Sequence, residues 1–239
     1  MGMYNEKILI VEEDVITRRV LQRRLIFLGY IVTSVSNGKD ALRLLKTESP
    51  NLIILDLILP NFDGYEVCFK IRQISKAPII MITGLKNIPN GVKFFELGAD
   101  DYLMKPFSLK ELELRIRSTL KRAPPGHIYV QTPRRYTNMM QVGALSIDWS
   151  QRKVFKNQNQ LKLTTLEFSL LELLFDHAGK PLSRKIILNN IWGYTPERDV
   201  DMRMVDVHIS RLRSKLEDNS RKPNFILTVR GRGYLFRAY

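Results

Sequence analysis

Five polar residues stand where apolar runs stop. Glu12 and Glu13 follow the run at 7–11, Asp56 ends the run at 52–55, Thr83 follows residues 78–82, and Lys105 follows 102–104. Three carboxylates brought together repel one another unless a cation joins them. Oxygen ligands of this kind suit Mg²⁺, which keeps some of its waters and favours phosphate as a co-ligand. A lysine ammonium and a threonine hydroxyl beside them would complete an oxyanion site for a phosphoryl group. Taken alone, Asp56 reads equally well as the cap of the turn that Pro60 and Asp63-Gly64 introduce. The two readings part on whether the five positions meet.

Their meeting depends on the elements around them. Residues 52–55 are unbroken Leu-Ile-Ile-Leu with no alternation, the pattern of a strand buried on both faces. Similar runs predict strands over 7–11, 31–35, 78–82 and 102–104. Helical spacing predicts helices over 15–28, from Gly38 to about Lys46, over 65–74, over 92–97, and from the Ser108 cap, with Glu111 completing a capping box, to about Arg122. Five strands alternating with five helices predict an α/β, doubly wound parallel sheet. All strand carboxyl ends then share one edge, where open α/β sheets hold their ligands.

The 239 residues suffice for two domains. One cysteine, Cys68, excludes an intrachain disulfide and reads as a buried structural thiol. No apolar run reaches membrane-spanning length, and the first strand begins too early to leave room for a leader peptide. The net charge of +14 favours a polyanionic partner. It is uneven: residues 1–123 carry 19 Lys/Arg against 14 Asp/Glu, residues 124–239 carry 19 against 10. Pro124, Pro125, Gly126 and Pro133 mark a flexible linker over 123–140, between a domain at 1–122 and another at 141–239.

In the second half, short apolar segments and turn residues over 141–163 predict a small antiparallel sheet. Three helices follow, from the Thr164–Glu167 cap, from Ser183, and over 200–217. The third carries an apolar stripe (Val205, Ile209, Leu212, Leu216) and the polar residues Arg203, His208, Arg211, Arg213 and Lys215. The second and third form a helix-turn-helix variant, and a basic helix face suits the major groove. Two β runs then flank Arg230-Gly231-Arg232-Gly233, a hairpin with a cationic tip fit for a minor groove.

The first half, over residues 6–122, resembles the receiver domain of bacterial two-component response regulators, a CheY/flavodoxin-like fold. The motifs are the acidic pair after the first strand, Leu55-Asp56 with Pro60 and Asp63-Gly64, Thr83, and Lys105-Pro106-Phe107. The resemblance implies that Asp56 accepts a phosphoryl group from a sensor kinase histidine. It implies Mg²⁺ held by Glu12, Glu13, Asp56 and the Ile58 carbonyl. Thr83 would bind a phosphoryl oxygen, Lys105 would neutralise the new charge, and Tyr102 would turn inward as an aromatic switch when Thr83 moves. Receivers usually carry Asp where this chain has Glu13. A receiver that dimerises without phosphate therefore remains a second reading. A dimer face is implied for Asp100, Asp101, Glu111, Arg115, Arg117 and Arg122, the alternative being an ordinary solvated surface. Gly91 and Phe94 depart from that face's pattern, which leaves Glu111 short of a partner.

Residues 141–238 resemble the winged-helix DNA-binding domain of the OmpR/PhoB class, on the stretches 205–213 and 228–234. The resemblance implies that Arg203, Asp206, His208, Ser210, Arg211 and Arg213 face DNA, His208 as a phosphate donor. It places Thr228, Arg230, Arg232 and Tyr234 at the backbone or minor groove. Implied partners are double-stranded DNA with direct-repeat sites, a sensor histidine kinase, RNA polymerase and a second copy of the chain. An enzymatic reading, an aspartyl-phosphate phosphatase, wants a second Asp two residues after the nucleophile, where this chain has Ile58. Within the class the chain looks most like cyanobacterial and plastid-encoded regulators, which points to a plastid stroma or a bacterial cytoplasm.

Overall fold

A computed structural model describes residues 5–59, 62–84, 93–121, 139–194 and 199–238. The chain divides into two compact units, 1–120 and 121–239. No helix among the described residues is long and apolar enough to cross a membrane.

In the first unit, β1 (Lys7–Val11), β2 (Ile31–Val35), β3 (Leu52–Asp56), β6 (Ile79–Thr83) and β7 (Asp101–Met104) form a parallel sheet ordered β2-β1-β3-β6-β7. Between them run α1 (Val15–Phe27), α2 (Gly38–Leu44), α3 (Gly64–Ile74), α4 (Lys93–Glu96) and α5 (Leu109–Lys121). The five strands and five helices fall in the predicted order. Every residue of β3 and β6 is buried, as unbroken apolar runs require of central parallel strands. One core joins Ile8, Ile10, Leu52, Ile54, Ile80, Ile82 and Leu103 of the sheet to Leu21 and Leu25 of α1 and Leu112, Ile116 and Leu120 of α5.

The stretch after Asp56, read from sequence as a turn, contains a two-residue hairpin, β4 (Ile58–Leu59) and β5 (Phe62–Asp63). Gly64 is obligatory at its exit. A Cβ there would lie 2.4 Å from the Leu57 carbonyl oxygen. Asp63 caps α3 by accepting from the Tyr65 N–H. Pro60, Gly91, Arg122 and the side chain of Phe94 lie outside the described residues, as does the predicted linker up to residue 138.

The second unit opens with an antiparallel sheet of β8 (Met139–Val142), β9 (Leu145–Asp148), β10 (Lys153–Lys156) and β11 (Asn159–Leu161). Then come α6 (Thr165–Asp176), α7 (Arg184–Trp192), α8 (Asp199–Leu216) and the hairpin β12 (Ile226–Val229)–β13 (Gly233–Phe236). Thr164 and Glu167 form the full capping box of α6. The hairpin is anchored by a bridge of Tyr234 to Leu182, with reciprocal N–H···O bonds of 2.7 and 3.0 Å. At Gly233, φ is +117° and a Cβ would sit 2.0 Å from the Leu182 oxygen, so only glycine permits this approach.

Candidate phosphoacceptor pocket and DNA-reading surface

Glu12, Asp56, Thr83 and Lys105 reach the carboxyl edge of the sheet from four neighbouring strand ends. Asp56 pairs in register with Ile82, one residue before Thr83, and Thr83 pairs with Met104, one before Lys105. The Lys105 ammonium donates to Asp56 Oδ2 at 2.6 Å and to Glu12 Oε2 at 2.9 Å. Both carboxylates and Thr83 are buried. The second oxygen of Asp56 accepts from the Ile58 N–H, and that of Glu12 from the Asp14 N–H. Arg18 donates to the carbonyls of Glu12 and Glu13 and so holds the loop.

The electrostatics follow from this contact. Burial raises the Glu12 carboxyl above its usual range, and the adjacent Asp56 adds to this while Lys105 opposes it. Burial works against the Lys105 ammonium, but its bonds to Asp56 and Glu12 outweigh that and hold it above the ordinary lysine value. One ammonium faces two carboxylates, so an ionised trio keeps a net negative charge.

Glu13 does not join them. Its side chain is exposed, and no group of three acidic or other metal-ligating side chains converges among the described residues. The expected triad of carboxylates is a buried pair with Glu13 on the solvent side. The reason is local: Glu12 continues the path of β1, donating its N–H to the Val35 oxygen, while Glu13 stands just before the Asp14 cap of α1. Ile58 presents its N–H to Asp56 and an exposed side chain to solvent.

Tyr102 is already inside. It is 2% exposed, lies edge-on to Phe95 with ring centroids 5.8 Å apart, and carries the Arg115 guanidinium 5.8 Å over its ring.

The charges assigned to a dimer face are largely engaged within the chain. Asp100 is buried and accepts from Arg72 of α3 at 2.7 Å, so it is no surface charge. Asp101, also buried, accepts from Arg115 at 2.9 Å. The two neighbours thus turn to different helices, Asp100 to α3 and Asp101 to α5. Glu111, expected to lack a partner, pairs with Arg115 one helical turn on, and Arg117 pairs with Glu113. Arg122 lies outside the described residues. Arg72 itself was not foreseen. It also donates to the carbonyls of Gly98, Ser75 and Ala77, tying the end of α3 to the entry of β7.

On the second unit, the predicted DNA residues fall into two sets. Arg203, Ser210, Thr228, Arg230 and Arg232 are exposed. The hairpin tip is cationic as expected, turned by Gly231 at φ +71° and by an Arg232 N–H to Val229 oxygen bond of 3.0 Å. The other set is spent inside the fold. His208 is wholly buried with its ring 5.3 Å from that of Trp192, so it cannot reach a phosphate. Arg211 pairs with the buried Glu167 of α6 at 3.4 Å, where Lys215 also binds at 2.5 Å. Arg213 donates to the Ile226 carbonyl and the Thr228 hydroxyl, bracing β12 against α8.

Tyr234 is buried and donates its hydroxyl to Asp206 Oδ1 at 2.6 Å. The same oxygen accepts from Arg184 Nε at 2.5 Å. Burial first, then the Asp206 carboxylate, push the Tyr234 phenol up to about 12. Tyr234 is thus not the open DNA contact expected of it, while Asp206, its side chain 41% exposed, is engaged by Arg184 and Tyr234 at one oxygen. Arg184 was missed altogether. It opens α7, 22 positions before Asp206 in a different element, and no periodicity links the two.

Comparison with known proteins covers both units. Residues 8–117 match the response regulator receiver domain, and residues 158–236 match the family described as transcriptional regulatory protein, C terminal. A probable transcriptional regulator ycf27 of Porphyridium aerugineum is 50% identical over 98% of this chain and 97% of its own. The alkaline phosphatase synthesis transcriptional regulatory protein PhoP of Bacillus subtilis is 40% identical over 96% of each. Among solved structures, the response regulator DrrB, a Thermotoga maritima OmpR/PhoB homologue, aligns at 30% identity and a TM-score of 0.50 over 98% of this chain and 100% of that one. With both halves matched in order and the likeness running the length of its relatives, the chain belongs to the OmpR/PhoB family of response regulators, transcriptional regulators that join a receiver to a winged-helix DNA-binding domain.

Proposed function

We propose that Asp56 accepts a phosphoryl group from the phosphohistidine of a sensor kinase, and that this favours dimerisation and binding to direct-repeat promoter sites. The observation that carries this reading is the Lys105 ammonium lodged between the buried carboxylates of Asp56 and Glu12. In the transfer, an Asp56 oxygen forms a bond to phosphorus while the phosphorus–nitrogen bond to the donor imidazole breaks, and the imidazole leaves with its electron pair and takes up a proton. Lys105, which donates to Asp56 Oδ2, would meet the charge that arrives, about −1.5 to −2. Thr83, at the adjacent strand end, would bind a phosphoryl oxygen. Tyr102, which contacts Phe95 of α4 and Arg115 of α5, would couple Thr83 to those helices.

The buried pair fits a hard divalent cation. Its donors are carboxylate oxygens, and burial penalises the ionised Glu12 in a way that a cation would relieve. Glu12, Asp56 and the Ile58 carbonyl would hold Mg²⁺, with Glu13 joining them only by turning in from the solvent side, and the ion when bound would supply charge neutralisation during phosphoryl transfer. Glu13, where receivers usually carry Asp, supports a second reading, in which the receiver dimerises without phosphate.

Incubating the chain with a small phosphodonor and Mg²⁺, with Asp56→Asn in parallel, tests the first reading. The expected result is a base-labile mass gain of one phosphoryl group in the wild type only, with a shift from monomer to dimer. No gain, with DNA binding intact, would favour the second reading. Paired winged domains would bind two half-sites with summed affinity. RNA polymerase would then be the partner at the promoter, in a plastid stroma or a bacterial cytoplasm.

A further inference from the structure

Two elements carry the exposed cations that would meet DNA: α8, with Arg203, and the β12–β13 hairpin, with Arg230 and Arg232. What holds one at a fixed distance from the other decides whether both can be in register with a duplex. At the base of the hairpin three elements converge on a single carboxylate oxygen. Asp206 of α8 accepts there from Arg184 of α7 at 2.5 Å and from the Tyr234 hydroxyl of β13 at 2.6 Å. Arg184 also donates to the Tyr234 oxygen at 3.2 Å. The Tyr234 ring carries the guanidinium of Arg184 on it at 5.0 Å and that of Arg213 at 5.4 Å.

We propose that Arg184, Asp206 and Tyr234 form a pin that fixes the reach of the hairpin relative to α8, making Arg184 a positioning residue for sequence reading. The inference rests on the DNA-binding role of this unit and adds to it the means by which its two reading elements are kept in step. The lever arm shows why a pin is needed. From Tyr234 to Gly231 is three residues, about 10 Å at strand rise. Play of about 10° at the base therefore moves the tip by about 2 Å, a third of the ~6 Å minor-groove width. The hydrogen bonds of Arg213 and Glu217 reach only the first strand of the hairpin and the residues just before it, and Arg213 meets β13 through the Tyr234 ring alone. Arg213 holds Ile226 and Thr228, and Glu217 accepts from the N–H groups of Asn224, Phe225 and Ile226. The Leu182 bridge ties Tyr234 to the segment before α7, not to α8. The side-chain pin links β13 directly to α8.

The test is selection from a randomised duplex DNA pool by the full chain, with a small phosphodonor and Mg²⁺ present, for the wild type and for Tyr234→Phe, Asp206→Asn and Arg184→Met. Tyr234→Phe keeps the ring between the two guanidiniums and loses only the hydroxyl, which guards against simple unfolding. Thermal melting of each variant checks this. The wild type is expected to enrich a block read by α8 and a flanking A·T preference read by the hairpin tip, each position worth roughly tenfold in affinity. In the three variants the flanking preference should fall to less than about threefold while the α8 block persists. A merely structural role would weaken both blocks together, and that result would overturn the proposal, as would variants that keep both blocks unchanged. A wild type that enriches no sequence would remove the DNA-reading role itself, and the pin with it.

Discussion

Replacing Lys105 by Met isolates the charge logic of the receiver pocket, because the stem is kept and only the ammonium goes. Glu12 and Asp56, 3% and 5% exposed at their side chains, are then left facing each other without the cation that now bridges them. Breaking a buried pair costs about 3–5 kcal/mol. The Lys105 side chain is 30% exposed, so solvent screens part of this and about 2–3 kcal/mol is expected. For a unit of this size, 1 kcal/mol corresponds to about 4 °C, so the receiver transition should drop by about 8–12 °C at pH 8. The deficit should also depend on pH. The Glu12 carboxyl is raised in the fold above 4.5, so its protonated form is favoured there. The stability linked to that proton is full below 4.5 and is lost as pH rises through the folded value. Removing Lys105 deletes the one contribution that opposes the rise and widens the window. Melting followed by circular dichroism between pH 4.5 and 8 should therefore show wild type and variant converging at the acid end. Adding Asp56→Asn to Lys105→Met should recover most of the loss at pH 8. A deficit that is the same at pH 5 and pH 8, or one that Asp56→Asn leaves untouched, would refute the reasoning.

Other outcomes follow from the same geometry. Mg²⁺ at about 100 times its dissociation constant should raise receiver stability by about 2.7 kcal/mol, and Glu12→Gln should remove most of this; differential scanning calorimetry of the full chain reads both. Gly233→Ala forces a Cβ into the Leu182 carbonyl at a positive φ and should destabilise the second unit by about 3 kcal/mol or more, measured by urea unfolding. His208→Ala opens a cavity beside Trp192 and should cost about 2–4 kcal/mol, with Trp192 fluorescence reporting the loosened core. Tyr234, raised to about 12 from 10, favours the protonated fold, so its contribution is full below pH 10 and is lost between pH 10 and about 12; Tyr234→Phe should flatten stability over that interval.

The receiver was legible because its signals are local. An unbroken Leu-Ile-Ile-Leu run places Asp56 at a strand end, and parallel topology then brings Glu12, Thr83 and Lys105 to the same edge. What spacing alone did not resolve was which of two adjacent glutamates turns inward, since that depends on where β1 stops and α1 is capped. On α8 the burial of His208 had a signal that went unused: positions 205, 208, 209, 212 and 216 fall on one helical stripe, and four of them are aliphatic. The partners of Arg211, Lys215 and Asp206 had none. Glu167 is 44 residues before Arg211, and Tyr234 is 28 after Asp206, so those contacts exist only once α6, α7, α8 and the hairpin have packed. The acids at 100 and 101 are adjacent in sequence but bind Arg72 of α3 and Arg115 of α5, partners 28 and 14 residues away that adjacency does not reveal.

Glu167 has one more effect. It holds Arg211 and Lys215 of α8 against α6, and Arg213 is held by the hairpin it braces. The single negative charge of Glu167 offsets one of its two cations, while Arg213, bonded to a neutral carbonyl and a neutral hydroxyl, keeps its own. The ionic-strength dependence of binding by this domain should accordingly be shallower, by about one charge, than the cations written along α8 suggest.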